Sequence, residues 1–255
     1  MDNSEKKKVI ISQNLHNYPR KNQLLPKDYI KKYKADYYAF QEYPRDGKGF
    51  RSVIVDKEGN DKSIDVKNVE ILWKKYFPWT EFRSGYWSET SIRFGYKKIV
   101  ILNIHISTSY TDNLRLVILQ RLKQLKGKRV LLVGDFNAAF KNQTDTPIEE
   151  NHKFLSCIIG EGYTEKEDTK EKSNFPHYTF AVEDKDKNIW LKKKLDHVFI
   201  SNVLRDDENL SVEIQYLDKV NINYNHLGYA TMSTNFSDHT GIKICIGPAS
   251  GKKTN

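Results

Sequence analysis

Residues 130–140 read VLLVGDFNAAF, four apolar residues running straight into Gly-Asp-Phe-Asn. So apolar a run is a buried strand. A buried strand that ends in an acid and an amide two residues apart restricts the fold sharply. Its body must be covered on both faces, while its end must open onto water or a ligand. On extended backbone Asp135 and Asn137 share a face and Phe136 points the other way, into a core. The acid can bind a hard cation or orient water, and the amide can donate to a phosphoryl oxygen without adding negative charge. Gly, Asp and Asn also form turns, so a plain turn is the alternative for this segment alone.

Strand signals alternate with amphipathic stretches along the rest of the chain. Residues 8–12, 36–43, 97–107, 128–136, 194–201 and 240–246 have strand patterns. Residues 25–35 group Tyr29, Ile30 and Tyr33 on one side of a helix. Residues 111–127 form the best helical pattern, with Asp112 as a cap and Gly127 as the stop. Residues 151–162 form a shorter helix. Strands interspersed with a few helices imply α/β layers in one continuous domain, 1–255, with 1–8 and 248–255 as flexible tails.

No apolar run approaches the ~18 residues of a membrane span. The N-terminus lacks the apolar stretch of a signal peptide, which makes the cytoplasm the default compartment. Cys157 and Cys245 are too few and too far apart for a disulfide framework or zinc site, and are expected as small core residues. Basic residues number 42 against 33 acidic, a net charge of +9. That charge suits a polyanionic partner such as nucleic acid, although surface lysine also serves solubility.

Several other polar residues fall at strand ends, where layered α/β proteins form ligand sites. Asn14 ends the first strand, with His16 on the same side. Glu42 ends the second and precedes Pro44. Asn103 and His105 share a face of an apolar strand. Asp196 opens one strand and Asp238-His239 opens another, and an Asp–His pair orients an imidazole and favours its cationic form. His197 faces away from Asp196 and is structural. Each segment alone has a bland alternative as turn, core or surface.

Taken in order, these segments resemble the endonuclease/exonuclease/phosphatase superfamily, which includes deoxyribonuclease I and exonuclease III. The resemblance rests on Asn14, Gln41-Glu42, "NIH" at 103–105, "GDFN" at 134–137, "LDHVFIS" at 195–201 and "SDH" at 237–239. The helix after His105 and "HYTF" at 177–180 also fit, so nearly the whole chain is covered. The resemblance implies a four-layer α/β/β/α sandwich of two packed, mostly antiparallel sheets flanked by helices. It implies that Glu42 binds Mg²⁺ or Mn²⁺, with Asp238 and Asn14 close to the metal. Asp135 would activate water, and Asn137 and His105 would hold phosphoryl oxygens. His239, oriented by Asp196, would stabilise charge or move a proton. His16 and His105 depart from the exonuclease III pattern and favour the deoxyribonuclease I side. That side has a second Glu beside its His, for which Glu89 is a candidate. The span from Glu42 to His105 is short for the family.

The activity implied is metal-dependent hydrolysis of phosphodiesters, with DNA or RNA as substrate. Lys192, Lys193 and Lys194 could hold backbone phosphates, and Trp190 could stack on a base, or the run is a solvated surface. A phosphoinositide, phospholipid headgroup or nucleotide ester is the alternative substrate. The Trp/Cys/Asp/Arg segment of inositol 5-phosphatases is absent. A third possibility is an inactive binding module. The aromatic-rich stretch 74–87 is expected to be core and sheet packing. A monomer is assumed.

Overall fold

The computed structural model describes residues 6–15, 26–44, 50–64, 67–82, 84–106, 111–144, 149–168, 179–184, 189–217, 222–224, 230–232 and 239–249. The N-terminal half contains β1 (Lys8–Asn14), α1 (Pro26–Lys32), β2 (Tyr37–Pro44), β3 (Phe50–Asp56), α2 (Lys67–Tyr76), β4 (Trp87–Phe94), β5 (Lys97–His105), α3 (Thr111–Gln124) and β6 (Arg129–Asp135). There follow α4 (Glu149–Gly160), β7 (Tyr163–Glu165), β8 (Phe180–Asp184), β9 (Ile189–Lys193), β10 (Asp196–Ser201) and α5 (Asn202–Arg205). The last strands are β11 (Leu210–Tyr216), β12 (Ile222–Tyr224), β13 (Ala230–Met232) and β14 (Ile242–Pro248).

Two five-stranded sheets form, in the orders β11-β14-β1-β2-β3 and β4-β5-β6-β10-β7. Each is antiparallel except for one pair: β1 runs parallel to β2, and β5 parallel to β6. Alternation along the strands separates the cores. Ile10 and Ile54 of the first sheet pack with Ile92, Ile101, Leu131 and Val133 of the second. The other face of the second sheet, through Leu102, Ile104, Val130 and Leu132, meets Trp73 of α2, Val117 of α3 and Leu155 of α4. Tyr29 of α1 covers Tyr38, Phe40 and Val53 on the outer face of the first sheet. The layers are therefore α/β/β/α. The run 130–133 is apolar throughout because β6 is central and covered on both faces.

The strands and helices expected from sequence are present within a few residues. Strands β3, β4, β7 and β11 and helix α2 carry no strong local signal and are additions. Gly127 adopts φ +78° just past α3, the left-handed conformation that ends helices. Asp112 is not a cap: it lies inside α3, 93% exposed, and meets Arg115 at 3.7 Å. Nor are the cysteines core residues, because Cys157 sits on the exposed face of α4 and Cys245 is half-buried. Lys8 and Pro248 are not in loose tails, since both pair within the first sheet. In the aromatic stretch Trp87 is buried and Tyr76, Phe77, Phe82 and Tyr86 pack on the core, but Trp79 is 95% exposed. Among the described residues, no helix is long and apolar enough to cross a membrane.

Candidate active site

Sheet register assembles the site. The parallel β5–β6 pairing sets His105 beside Asp135. The antiparallel β6–β10 pairing sets Asp196 directly across from Asp135. In the facing sheet, β1–β2 pairing sets Asn14 beside Gln41, one residue before Glu42. Five strands, three from one sheet and two from the other, thus meet at their ends.

The backbone here departs from regular structure. The β2–β3 register shifts between Phe40 and Tyr43, and Glu42 within the bulge has φ +52°. A bulge re-aims a side chain that a regular strand would send elsewhere. Asn137 has φ +44°. Among the described residues, these are the two non-glycine positions with positive φ. Such conformations cost about 1–3 kcal/mol each and concentrate at functional sites. Gly134, at φ +133°, brings its backbone so close to β5 that a Cβ would lie 1.9 Å from the Ile104 carbonyl oxygen.

Asp135 is the hub. The Asn14 amide donates to its Oδ2 at 2.8 Å and reaches Glu42 Oε1 at 3.4 Å. The Asn137 backbone N–H donates to Asp135 Oδ1 at 2.8 Å. The Asn137 side-chain amide donates to the Ile106 carbonyl at 2.7 Å and lies 3.4 Å from Asp135 Oδ2. His105 Nε2 is 3.4 Å from Glu42 Oε1 and 3.9 Å from Asp135 Oδ2. His239 Nδ1 is 2.7 Å from Asp196 Oδ2, which turns its Nε2 towards Asp135 at 4.0 Å. Asp135 is nearly inaccessible, whereas Glu42 and His105 line a more open edge.

Burial pushes the Asp135 carboxyl above the usual range, and the Asp196 charge adds to this. His239, His105 and the Asn137 N–H act in the opposite direction without cancelling it. A carboxylate whose ionised form is disfavoured by burial is a stronger proton acceptor than one in water.

A second tier of residues fixes these side chains. Thr179 Oγ1 accepts from the backbone N–H groups of Leu195 and Asp196 at 2.9 and 3.0 Å, holding the start of β10. The Gln13 amide donates to the His239 carbonyl at 3.0 Å, and Tyr29 donates to Gln13 Oε1 at 3.0 Å. A Cβ on Gly241 would strike both partners, at 2.5 and 2.8 Å. Beneath the site, Gln41 donates to Asn103 Oδ1 at 2.6 Å, and Asn103 donates to the Phe40 carbonyl at 2.9 Å. Asn103 is thus an inter-sheet tie rather than a partner of His105 at the surface. The ring of Tyr86 packs edge-on against His105, with centroids 5.7 Å apart.

The structure therefore brings Asn14, Glu42, His105, Asp135, Asn137, Asp196 and His239 together. Asp238 and His16 lie outside the described residues, as do the side chains of Trp190 and Lys192. Lys193 is half-buried. Lys194 is not a phosphate contact: it is 1% exposed and its Nζ lies 2.6 Å from Glu165 Oε1. The chain turns inward after β9, and the carboxylate on β7 captures the ammonium. Glu89 does not partner His105 either. It receives Arg121 of α3 through two bonds of 2.9 Å and the Trp87 indole N–H at 2.9 Å. His197 is structural, with Nδ1 2.6 Å from Glu165 and Nε2 2.7 Å from the Ala138 carbonyl. Sequence reasoning missed Tyr86, Tyr29 and Thr179. The aromatic density around residue 86, the helix face carrying Tyr29 and the "HYTF" segment pointed towards them only as packing or family pattern.

Among the described residues, no three His, Cys, Asp or Glu side chains converge as a protein cage for a metal. Glu42 nonetheless places a hard carboxylate oxygen at the accessible edge, 3.4 Å from the Asn14 amide nitrogen. That donor chemistry fits Mg²⁺, which binds one or two carboxylates and keeps several waters rather than entering a full cage.

Two facing sheets between helical layers, with acid, amide and imidazole groups at their ends, form a deoxyribonuclease I-like α/β/β/α sandwich. Solved structures share this fold over nearly the full chain. The endonuclease domain of TRAS1, a telomere-specific non-LTR retrotransposon, superposes with TM-score 0.61 at 13% identity, over 93% of this chain and 97% of that one. The AP endonuclease LMAP from Leishmania major gives 0.61 at 12% identity, over 94% and 88%. The catalytic domain of Xenopus laevis APE2 gives 0.60 at 14% identity, over 96% and 94%. No protein-family model and no curated protein matches the sequence.

Proposed function

We propose that the protein is a divalent-metal-dependent phosphodiesterase whose substrate is nucleic acid. The observation that carries this reading is the constellation around Asp135. A buried carboxylate takes two short donors, from Asn14 and the Asn137 N–H, and faces two imidazoles at 3.9 and 4.0 Å. The net charge of +9 and the endonuclease neighbours support the choice of nucleic acid.

Asp135 orients the attacking water and takes its proton, helped by the burial that raises its proton affinity. Asn14 and Asn137 fix the carboxylate so that no reorganisation is needed on reaction. The long contact from the Asn137 amide to Asp135 can be exchanged for a phosphoryl oxygen. His105 reaches the phosphoryl group from the open edge. His239, held by Asp196, presents Nε2 to the charge that builds on the phosphorus centre. Glu42 and Asn14, with Asp238, would hold Mg²⁺ or Mn²⁺, which supplies charge neutralisation and a more acidic bound water.

Cleavage of supercoiled plasmid, linear duplex, single-stranded DNA and RNA is the test, with Mg²⁺, Mn²⁺ or EDTA in parallel. Asp135→Ala and His239→Ala should each lower turnover by ~10³-fold or more, with unchanged circular dichroism. Near-native activity in either variant would remove these residues from the mechanism. Failure of all four substrates would direct the same site to a phospholipid or nucleotide ester.

A further inference from the structure

A cavity of about 570 Å³ opens at the other end of the second sheet, lined by residues that the candidate active site does not use. Strands β5 and β6 end at His105 and Asp135, but the cavity is built on their beginnings, at Lys98 and Arg129. Seven residue steps along the strand take Lys98 to His105, roughly 23 Å at ~3.3 Å per step. The walls come from the start of α2, the end of α3 and the helix-facing side of β4 and β5.

Charge is concentrated here. Five cations line the cavity: Lys97, Lys98, Arg121, Lys128 and Arg129. Two carboxylates answer them. Glu89 is taken up by Arg121, and Asp207 is shared between Lys97 at 2.6 Å and Arg129 at 2.7 Å. Lys98 and Lys128 are exposed and meet no carboxylate among the described residues. Arg93 stands directly across from Lys98 in the β4–β5 ladder, and like charges directly opposite in a sheet repel. A bound anion would relieve that repulsion.

The cavity also has an apolar side. Val100 and Leu125 form its floor, Ile64 is half-exposed, and the Tyr96 ring at the mouth is 88% exposed. Small-molecule pockets combine such walls with a few convergent polar groups, within ~300–1,000 Å³. Lysines bind phosphate as point charges, and an exposed aromatic face accepts a base.

We infer that this cavity is a second ligand site, binding a phosphorylated small molecule of nucleoside-monophosphate size. The phosphate meets Lys98 and Lys128, and the base lies against Tyr96 and the apolar floor. Helices α2 and α3 close one side, which favours a single nucleotide over a polynucleotide.

Isothermal titration of deoxyadenosine monophosphate into the full chain in EDTA tests this without turnover. One nucleotide should bind per chain, more weakly at high salt, and deoxyadenosine should not bind. The Lys98→Glu/Lys128→Glu variant changes two exposed residues and should fold normally. Its affinity should fall at least tenfold, while His239→Ala should bind as the unaltered protein does. Absence of binding at millimolar nucleotide would overturn the inference. So would binding lost in His239→Ala but kept in the charge-reversed variant. Weakened oligonucleotide affinity in that variant, with no mononucleotide binding by the unaltered protein, would make the patch a polynucleotide contact and overturn it as well.

Discussion

Replacing Glu165 with Gln removes one charge and little else, at a point where three elements meet. Glu165 of β7 lies 2.6 Å from Lys194 Nζ and 2.6 Å from His197 Nδ1. The other nitrogen of His197 meets the Ala138 carbonyl at 2.7 Å, just past the loop that carries Asp135 and Asn137. Burial by itself would raise the Glu165 pKa, but His197 and Lys194 outweigh it and hold the carboxyl down at about 2, against an ordinary 4.5. Lys194 is raised in turn by the same carboxylate.

Each factor of ten in proton affinity corresponds to about 1.4 kcal/mol, so ionised Glu165 contributes about 3 kcal/mol at pH 7. Gln mimics the protonated acid, so Glu165→Gln should lose that amount. The folded-state pKa lies below the unfolded one. The contribution is therefore complete above about 4.5 and fades as pH falls towards about 2. At pH 3 the difference between the two proteins should shrink to about 1 kcal/mol. Urea unfolding followed by the fluorescence of buried Trp73 and Trp87 measures both values. A difference below about 1 kcal/mol at pH 7 would refute the reasoning, and so would one that acidification leaves unchanged.

Three further outcomes follow from other parts of the structure. Gly134→Ala places a Cβ 1.9 Å from the Ile104 carbonyl oxygen at a φ of +133°, and should cost at least about 3 kcal/mol, measured by thermal or urea unfolding. Asn103→Leu removes the buried donor to the Phe40 and Val53 carbonyls and one of the acceptors of the Gln41 amide, and should cost about 2–4 kcal/mol in the same assay. Glu42→Gln should weaken Mg²⁺ binding at least ~10-fold in calorimetric titration with the fold unchanged, because a neutral amide oxygen replaces the charged donor.

Much of the frame is written locally in the chain. The apolar run into Gly134-Asp135 marks a strand covered on both faces because a continuous apolar run and the turn residues after it are properties of neighbours in sequence. The same holds for the helix from Thr111 and for the polar residues at the ends of β1, β2 and β5. Those signals sufficed to place Asp135, Asn14 and His105 at strand termini, whereas His239 lies three residues before β14. Their meeting is a matter of register, because only the β5–β6 and β6–β10 pairings bring His105 and Asp196 beside Asp135. Glu42 reaches the site through a bulge and a left-handed backbone that no propensity announces.

Where sequence and structure part, the cause is a distant partner. Lys194 sits in a lysine run that looks like surface, yet Glu165 draws it inside. Glu89 lies in a strand close to His105, but Arg121 from α3 claims both of its oxygens. Local pattern decides which face of an element is apolar. Which charges that face then meets depends on chain segments tens of residues away, and only the packed tertiary structure fixes those pairings.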